Sequence, residues 1–156
     1  MATIEHPERT LVIERVFDAP RTLVYDAWTD SEHIDKWWGP TMVTTRTIER
    51  DFSVGGSWKY VMEMPGSVSE HSVENKYTEI VPGEKIAWTE FAGGDTSNQV
   101  TVTLLFEDQG DETKLTMLIV HDSTEQMNMN EQGGMLMGWT MTLDSFVEFL
   151  AKQSAN

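Results

Sequence analysis

Side chains able to exchange protons or bind metal are few in this chain and widely spaced. The four histidines, His6, His33, His71 and His121, lie far apart. None stands one helical turn from another with an acid beside it, the pattern that presents two imidazoles to zinc, so no metal site is expected. There is no cysteine, which excludes thiol nucleophiles, disulfides and cysteine-ligated metal centres. No Gly-x-Ser-x-Gly elbow presents a serine nucleophile. Gly55-Gly56 and Gly93-Gly94 lack the strand–loop–helix setting of a phosphate cradle and read as turn glycines. The chemistry left is proton exchange by an acid or imidazole inside an apolar groove, with Glu90, His71 and His121 as candidates. Residue types alone assign no catalytic residue, metal or cofactor.

Binding is better represented. The chain carries six tryptophans and ten methionines. Indoles offer a large apolar surface with one polar handle, and thioethers adapt to variable shapes. Trp58, Tyr60, Met62 and Met64 share one face of a strand, while Lys59, Val61 and Glu63 share the other. Trp88 offers an indole from a later strand. Met117, Met127, Met129, Met135, Met137 and Met141 cluster late in the chain. In phase with Tyr77 stand His71, Val73, Asn75 and Glu79. These positions predict a mostly apolar pocket on the order of a few hundred Å3. Its expected walls are Trp58, Tyr60, Met62, Trp88, Met117, Met135 and Trp139, with Tyr77 as leading polar contact. His71, Asn75, Glu90 and His121 are further polar candidates. Trp37-Trp38 is expected to plug one end of the groove. Gly138, beside Trp139, is expected to let a strand or a ligand come close to the helix.

The elements that must position these groups follow from periodicity. Thr10–Phe17 is β-branched and partly alternating, which predicts a strand. Asp18-Ala19-Pro20 ends it, with Asp18 as candidate cap and Pro20 tolerated in a first turn. Leu23, Val24, Ala27 and Trp28 recur at helical spacing; Thr29-Asp30-Ser31 interrupts, and a second short helix runs through Ile34 and Trp37 to Gly39-Pro40. From there to about His121 the period is two, with turns at Pro65-Gly66-Ser67, Pro82-Gly83, Gly93-Gly94-Asp95 and Gln109-Gly110, which predicts an antiparallel meander of six strands. Asp122–Gln132 reads as a loop or frayed helix. Met135, Trp139, Leu143, Phe146 and Leu150 form one stripe of a long last helix, with Asp144, Glu148 and Lys152 on its wet face.

The expected fold is therefore α+β: a curved antiparallel β-sheet wrapped around a long C-terminal helix, with two short helices after the first strand. Residues 1–9 read as a flexible lead, 10–152 as one domain and 153–156 as a flexible tail. The formal net charge is −15, and the basic residues are scattered singly. Nucleic acids and anionic lipid surfaces need clustered Lys and Arg, so neither partner is expected. No run approaches the ~20 apolar residues of a membrane span, and the polar start carries no signal-peptide core. A cytoplasmic location is expected.

The same elements carry a family resemblance. Phe17-Asp18-Ala19-Pro20, Ala27-Trp28-Thr29-Asp30, His33 and Trp37-Trp38-Gly39-Pro40 resemble the N-terminal signature of the family named after the activator of the heat-shock protein 90 ATPase. Asp51 with Gly55-Gly56-Ser57-Trp58, Tyr77-Thr78-Glu79-Ile80 with Pro82-Gly83, and Gly138-Trp139 with Leu143 continue it in order, from about Thr10 to Leu150. That family sits within the START-like (SRPBCC) helix-grip superfamily of lipid-transfer proteins, polyketide cyclases and pollen allergens. One departure is Phe52-Ser53-Val54, where the family commonly has an arginine and a proline. The resemblance implies the helix-grip fold and no transferable catalytic residue. Three functions stay open: a non-enzymatic or weakly enzymatic binder of a small hydrophobic or lipid-like molecule, a cyclase- or hydratase-type enzyme in the same cavity, and a co-chaperone-like module with a protein partner or homodimer.

Overall fold

The computed structural model describes residues 6–39, 43–63, 70–92, 99–132 and 134–154. Strand β1 (Thr10–Phe17) leads into helices α1 (Arg21–Thr29) and α2 (Ser31–Trp37). Six strands follow: β2 (Thr44–Arg50), β3 (Ser57–Glu63), β4 (Glu70–Val81), β5 (Lys85–Ala92), β6 (Val100–Gln109) and β7 (Glu112–Val120). Helices α3 (Thr124–Gln132) and α4 (Met135–Ser154) end the chain. The strands form one antiparallel sheet in the order β1-β7-β6-β5-β4-β3-β2. Only β1 departs from a meander, crossing to pair with β7. Register shifts between Thr47 and Glu49 and between Tyr77 and Glu79 act as bulges, which bend strands and help the sheet curl.

Alternation places Trp58 and Tyr60 of β3, Asn75 and Tyr77 of β4, Val102, Leu104 and Phe106 of β6, and Leu115, Met117 and Ile119 of β7 inside. Against them lie Leu143, Phe146 and Leu150 of α4, each at most 5% exposed. Phe146 is the hub of this contact. Its ring meets Phe17 at 4.9 Å, Trp37 at 4.4 Å and Trp28 at 5.7 Å, so α1 and α2 close one end of the groove on it.

The helix-grip α+β fold expected from the sequence is the fold observed, and three local expectations are corrected. Asp18 does not cap α1; the cap position is Pro20, whose carbonyl accepts the Val24 N–H at 3.1 Å. Asp122–Gln132, read as a loop or frayed helix, holds the regular helix α3; the choice was left open because α3 has no buried residue and hence no apolar stripe. The lead before β1 folds into a 3-10 turn at Pro7–Arg9, and Arg9 bonds the carbonyl of His121 through its guanidinium. No helix among the described residues is long and apolar enough to cross a membrane.

The two halves of α4 should differ sharply under mutation. Leu143→Ala, in the fully buried half, should cost about 3 kcal/mol in urea unfolding. Leu136→Ala, 47% exposed near the other end, should stay within about 0.5 kcal/mol. Equal losses at both positions would contradict this division.

Candidate ligand-binding site

The apolar stripe of α4 continues beyond the core. Met135 and Trp139 belong to it, yet both are only half-buried. Between them Gly138 has no side chain, and a Cβ built there would meet no atom within 4 Å. Of the two approaches expected at this glycine, by a strand or by a ligand, no strand comes close. Instead the N-terminal half of α4 stands over open space. Thr142, one turn later, is buried and returns its hydroxyl hydrogen bond to the Gly138 carbonyl at 3.0 Å, so it offers the space its methyl rather than an unpaired donor.

That space is a pocket of about 260 Å3. Its roof is Met135, Gly138, Trp139 and Thr142 of α4. Its floor is Tyr60 and Met62 of β3, Val73 of β4 and Glu90 of β5, and Trp38 closes the inner end. Small-molecule sites commonly hold ~300–1,000 Å3, so this volume suits a compact molecule rather than a two-chain lipid. The rings are set edge to face: Trp38 meets Tyr60 at 5.9 Å and 81°, and Trp139 at 5.5 Å and 90°.

Glu90 is the one carboxylic acid among the described residues that line the pocket. It pairs with Asn75 on β4 and Val100 on β6, both buried, and is itself half-buried, so protein replaces part of the carboxyl's water. Desolvation pushes its pKa from 4.5 up to about 6, and a 3.4 Å bond from the Trp88 indole N–H opposes that rise. Tyr60, fully enclosed, is held well above the ordinary phenol range, first by desolvation and then by the nearby Glu90 charge. Its hydroxyl stays neutral.

Behind Trp38 lies a second, water-sized void of about 10 Å3, bordered by Trp28, Asn75, Tyr77 and Trp88 among others. The Trp28 indole N–H has no protein partner there, and the Asn75 amide has only the Tyr60 hydroxyl near it. One water accepting from Trp28 and bridging the Asn75 amide would satisfy them, and the volume admits one. Arg50 anchors the same end: its guanidinium donates to the Thr29 carbonyl at 2.8 Å, the Trp28 carbonyl at 3.1 Å and the Tyr77 hydroxyl at 3.2 Å. It thus caps the C-terminus of α1 from β2.

The residues expected at the site therefore divide. Tyr60, Met62, Glu90, Met135 and Trp139 come together around the larger pocket. Trp58, Asn75, Tyr77 and Trp88 border the inner void instead, one layer deeper. Tyr77 is engaged by Arg50 there and so is not the pocket's polar contact. Met117 is wholly buried in the core. His121 is also wholly buried, with Nδ1 3.1 Å from the Arg9 carbonyl, and lines neither space. The side chain of His71 lies outside the described residues; its backbone pairs with Met62. Trp38, expected with Trp37 to plug one end of the groove, closes the inner end of the pocket, and Val73 and Thr142 line it without having been named as walls. Val73 was legible in phase with Tyr77, and Thr142 lies one turn from Gly138. Among the described residues no group of His, Cys, Asp and Glu is placed to hold a metal ion.

Glu90 makes the stability pH-dependent with a definite sign. Its folded pKa lies above the unfolded value, so the folded state binds more protons between pH 4.5 and about 6. Stability is therefore lost as pH rises through that window and stays lost above it. Glu90→Gln, which cannot ionise, should be the more stable protein at pH 8 by on the order of 1 kcal/mol, discounted for partial solvent access. The two proteins should converge near pH 4 in urea titrations. A gap independent of pH would contradict a desolvated Glu90.

Comparison with known proteins supports the fold independently. The sequence model of the family described as Activator of Hsp90 ATPase homolog 1-like protein matches residues 18–151. Among solved structures, one from Arthrobacter aurescens superposes with a TM-score of 0.87 at 21% identity, covering 96% of this chain and 90% of that one. A protein from Nitrosomonas europaea gives 0.85 at 21% identity, over 96% and 99% of the two chains. A protein from Silicibacter pomeroyi gives 0.74 at 21% identity, over 92% and 99%. At these identities the likeness shows the fold alone. No curated protein matches. With the family match spanning most of the sequence and the helix-grip architecture in place, the chain belongs to the Activator of Hsp90 ATPase homolog 1-like family, within the START-like superfamily.

Proposed function

We propose that this protein binds one small, mainly apolar molecule between the N-terminal half of α4 and the inner face of β3–β5. The observation that carries this reading is the space opposite Gly138. A helix residue with open volume over it, flanked by two half-buried apolar side chains, forgoes burial that a tighter fold would have gained. A ligand in the pocket recovers that burial at about 25 cal/mol per Å2 of apolar surface. Lack of cysteine fits a reducing compartment, and we place the binder in the cytoplasm.

One observation favours proton exchange in the bound molecule as a second reading. Glu90 sits in the pocket with a pKa of about 6, close enough to neutrality to give and take a proton, beside a neutral Tyr60 hydroxyl able to donate a hydrogen bond. Deuterium uptake from heavy water into a bound carbonyl compound, lost in Glu90→Gln, would identify that activity.

Gly138→Leu tests the binding reading. The new side chain enters open space and removes a helix glycine, so the variant should be as stable as the parent, or more stable by up to about 0.7 kcal/mol. It should lose affinity for naphthalene, followed by the indole N–H resonances of Trp38 and Trp139, by at least about tenfold. Undiminished naphthalene binding in a folded Gly138→Leu protein would refute the site.

A further inference from the structure

We propose that the molecule held in this pocket is an organic cation, an ammonium-type group on an apolar body, seated between Glu90 and the rings of Trp38, Tyr60 and Trp139. The inference rests on the binding reading above and narrows its ligand class. Three features of the pocket point the same way.

Among the described residues its lining contains one carboxylate and no basic side chain. Among the described residues Glu90 has no ion-pair partner; its one hydrogen bond is the long one from Trp88. The nearby arginine, Arg50, spends its donors on the end of α1 and on Tyr77, behind Trp38. A neutral ligand closing over Glu90 would strip its remaining water and give nothing back, since a desolvated charge needs a partner. An anion would add like-charge repulsion. A cation supplies the missing partner.

The aromatic groups suit the same guest. Trp38 meets Tyr60 and Trp139 nearly at right angles, so the three rings turn their planes in different directions around one corner of the pocket. Ring faces attract cations within about 6 Å, and a weakly hydrated ammonium is the guest such a corner desolvates at least cost. Finally, the chain's net charge of −15 sets a field that favours arrival of cations over anions.

The test uses choline, its uncharged isostere with a tert-butyl group in place of trimethylammonium, and butyrate. Each is titrated into the protein at neutral pH and physiological salt, and followed at the Gly138 amide and Trp139 indole resonances. Naphthalene serves as reference for the pocket itself. Choline should bind at least about tenfold more tightly than the isostere, and butyrate should not move these signals. Glu90→Gln and, separately, Trp139→Leu should each cut the choline preference at least fivefold, on the order of one close charge or ring contact. In Glu90→Gln the isostere should bind more tightly than in the parent, because no charge is left to desolvate. Naphthalene binding with no preference for choline, or choline shifts confined to residues away from the pocket, would overturn the cation assignment and leave the apolar site standing. If naphthalene also leaves both reporter signals unmoved, the binding reading falls with it.

Discussion

The indole of Trp38 touches both β3 and the outer half of the long helix, and the spacing between those layers depends on it. Its ring lies 4.9 Å from Trp58 and 5.9 Å from Tyr60 on β3, and 5.5 Å from Trp139 on α4. It also reaches Trp28 at 5.6 Å, which ties it to the aromatic cluster on Phe146. A rigid ring held from three sides leaves no freedom for α4 to settle onto β3, and the pocket is what remains beyond it. The backbone around Trp38 is adapted to that role. Gly39 follows with φ +85°, where a side chain would be strained and its Cβ would lie 2.7 Å from the end of Met62. The Trp38 carbonyl is held by the Thr45 hydroxyl at 2.7 Å. The chain thus turns away just after placing the indole.

Polar groups are distributed by the same partition. Behind Trp38 the sheet's inner face carries Asn75 and the Arg50–Tyr77 contact, which lock α1 to β2 and β4. In front of it stands Glu90 with the Tyr60 hydroxyl nearby. Asn75 and Glu90 face each other across the β4–β5 ladder, so one strand pair feeds both spaces. The Arg50–Tyr77 contact is structural because its partners come from the protein. Glu90 is available because its one protein bond is the long one from Trp88.

Much of this was legible in the sequence, and the remainder for identifiable reasons. Alternation in Ser57–Glu63 marked Trp58 and Tyr60 as inward, and the four-four-three-four steps from Met135 to Leu150 marked the buried face of α4. Periodicity assigns a side chain to a face, however, not to a depth along the groove. Trp58, Trp88 and Met117 therefore looked equivalent to Tyr60 and Trp139, although Trp58 and Trp88 border the inner void and Met117 lies in the core. Trp38 follows the last turn of α2, where no period applies, and its place is set by tertiary contacts alone. His121 was a candidate polar group of the groove, but the turn at Pro7–Arg9 packs against it, and no local pattern announces that contact.

The central claim is that permanent apolar space exists between Gly138 and Tyr60, in front of Trp38. Diffraction from a crystal pressurised with xenon tests it most directly, since xenon enters dry apolar cavities without demanding any particular chemistry. The account predicts a xenon peak bounded by Tyr60, Met62, Gly138 and Trp139, with Trp38 unmoved behind it. A structure with no xenon there, and with Met135 and Trp139 packed down onto Tyr60 to fill the space, would contradict it.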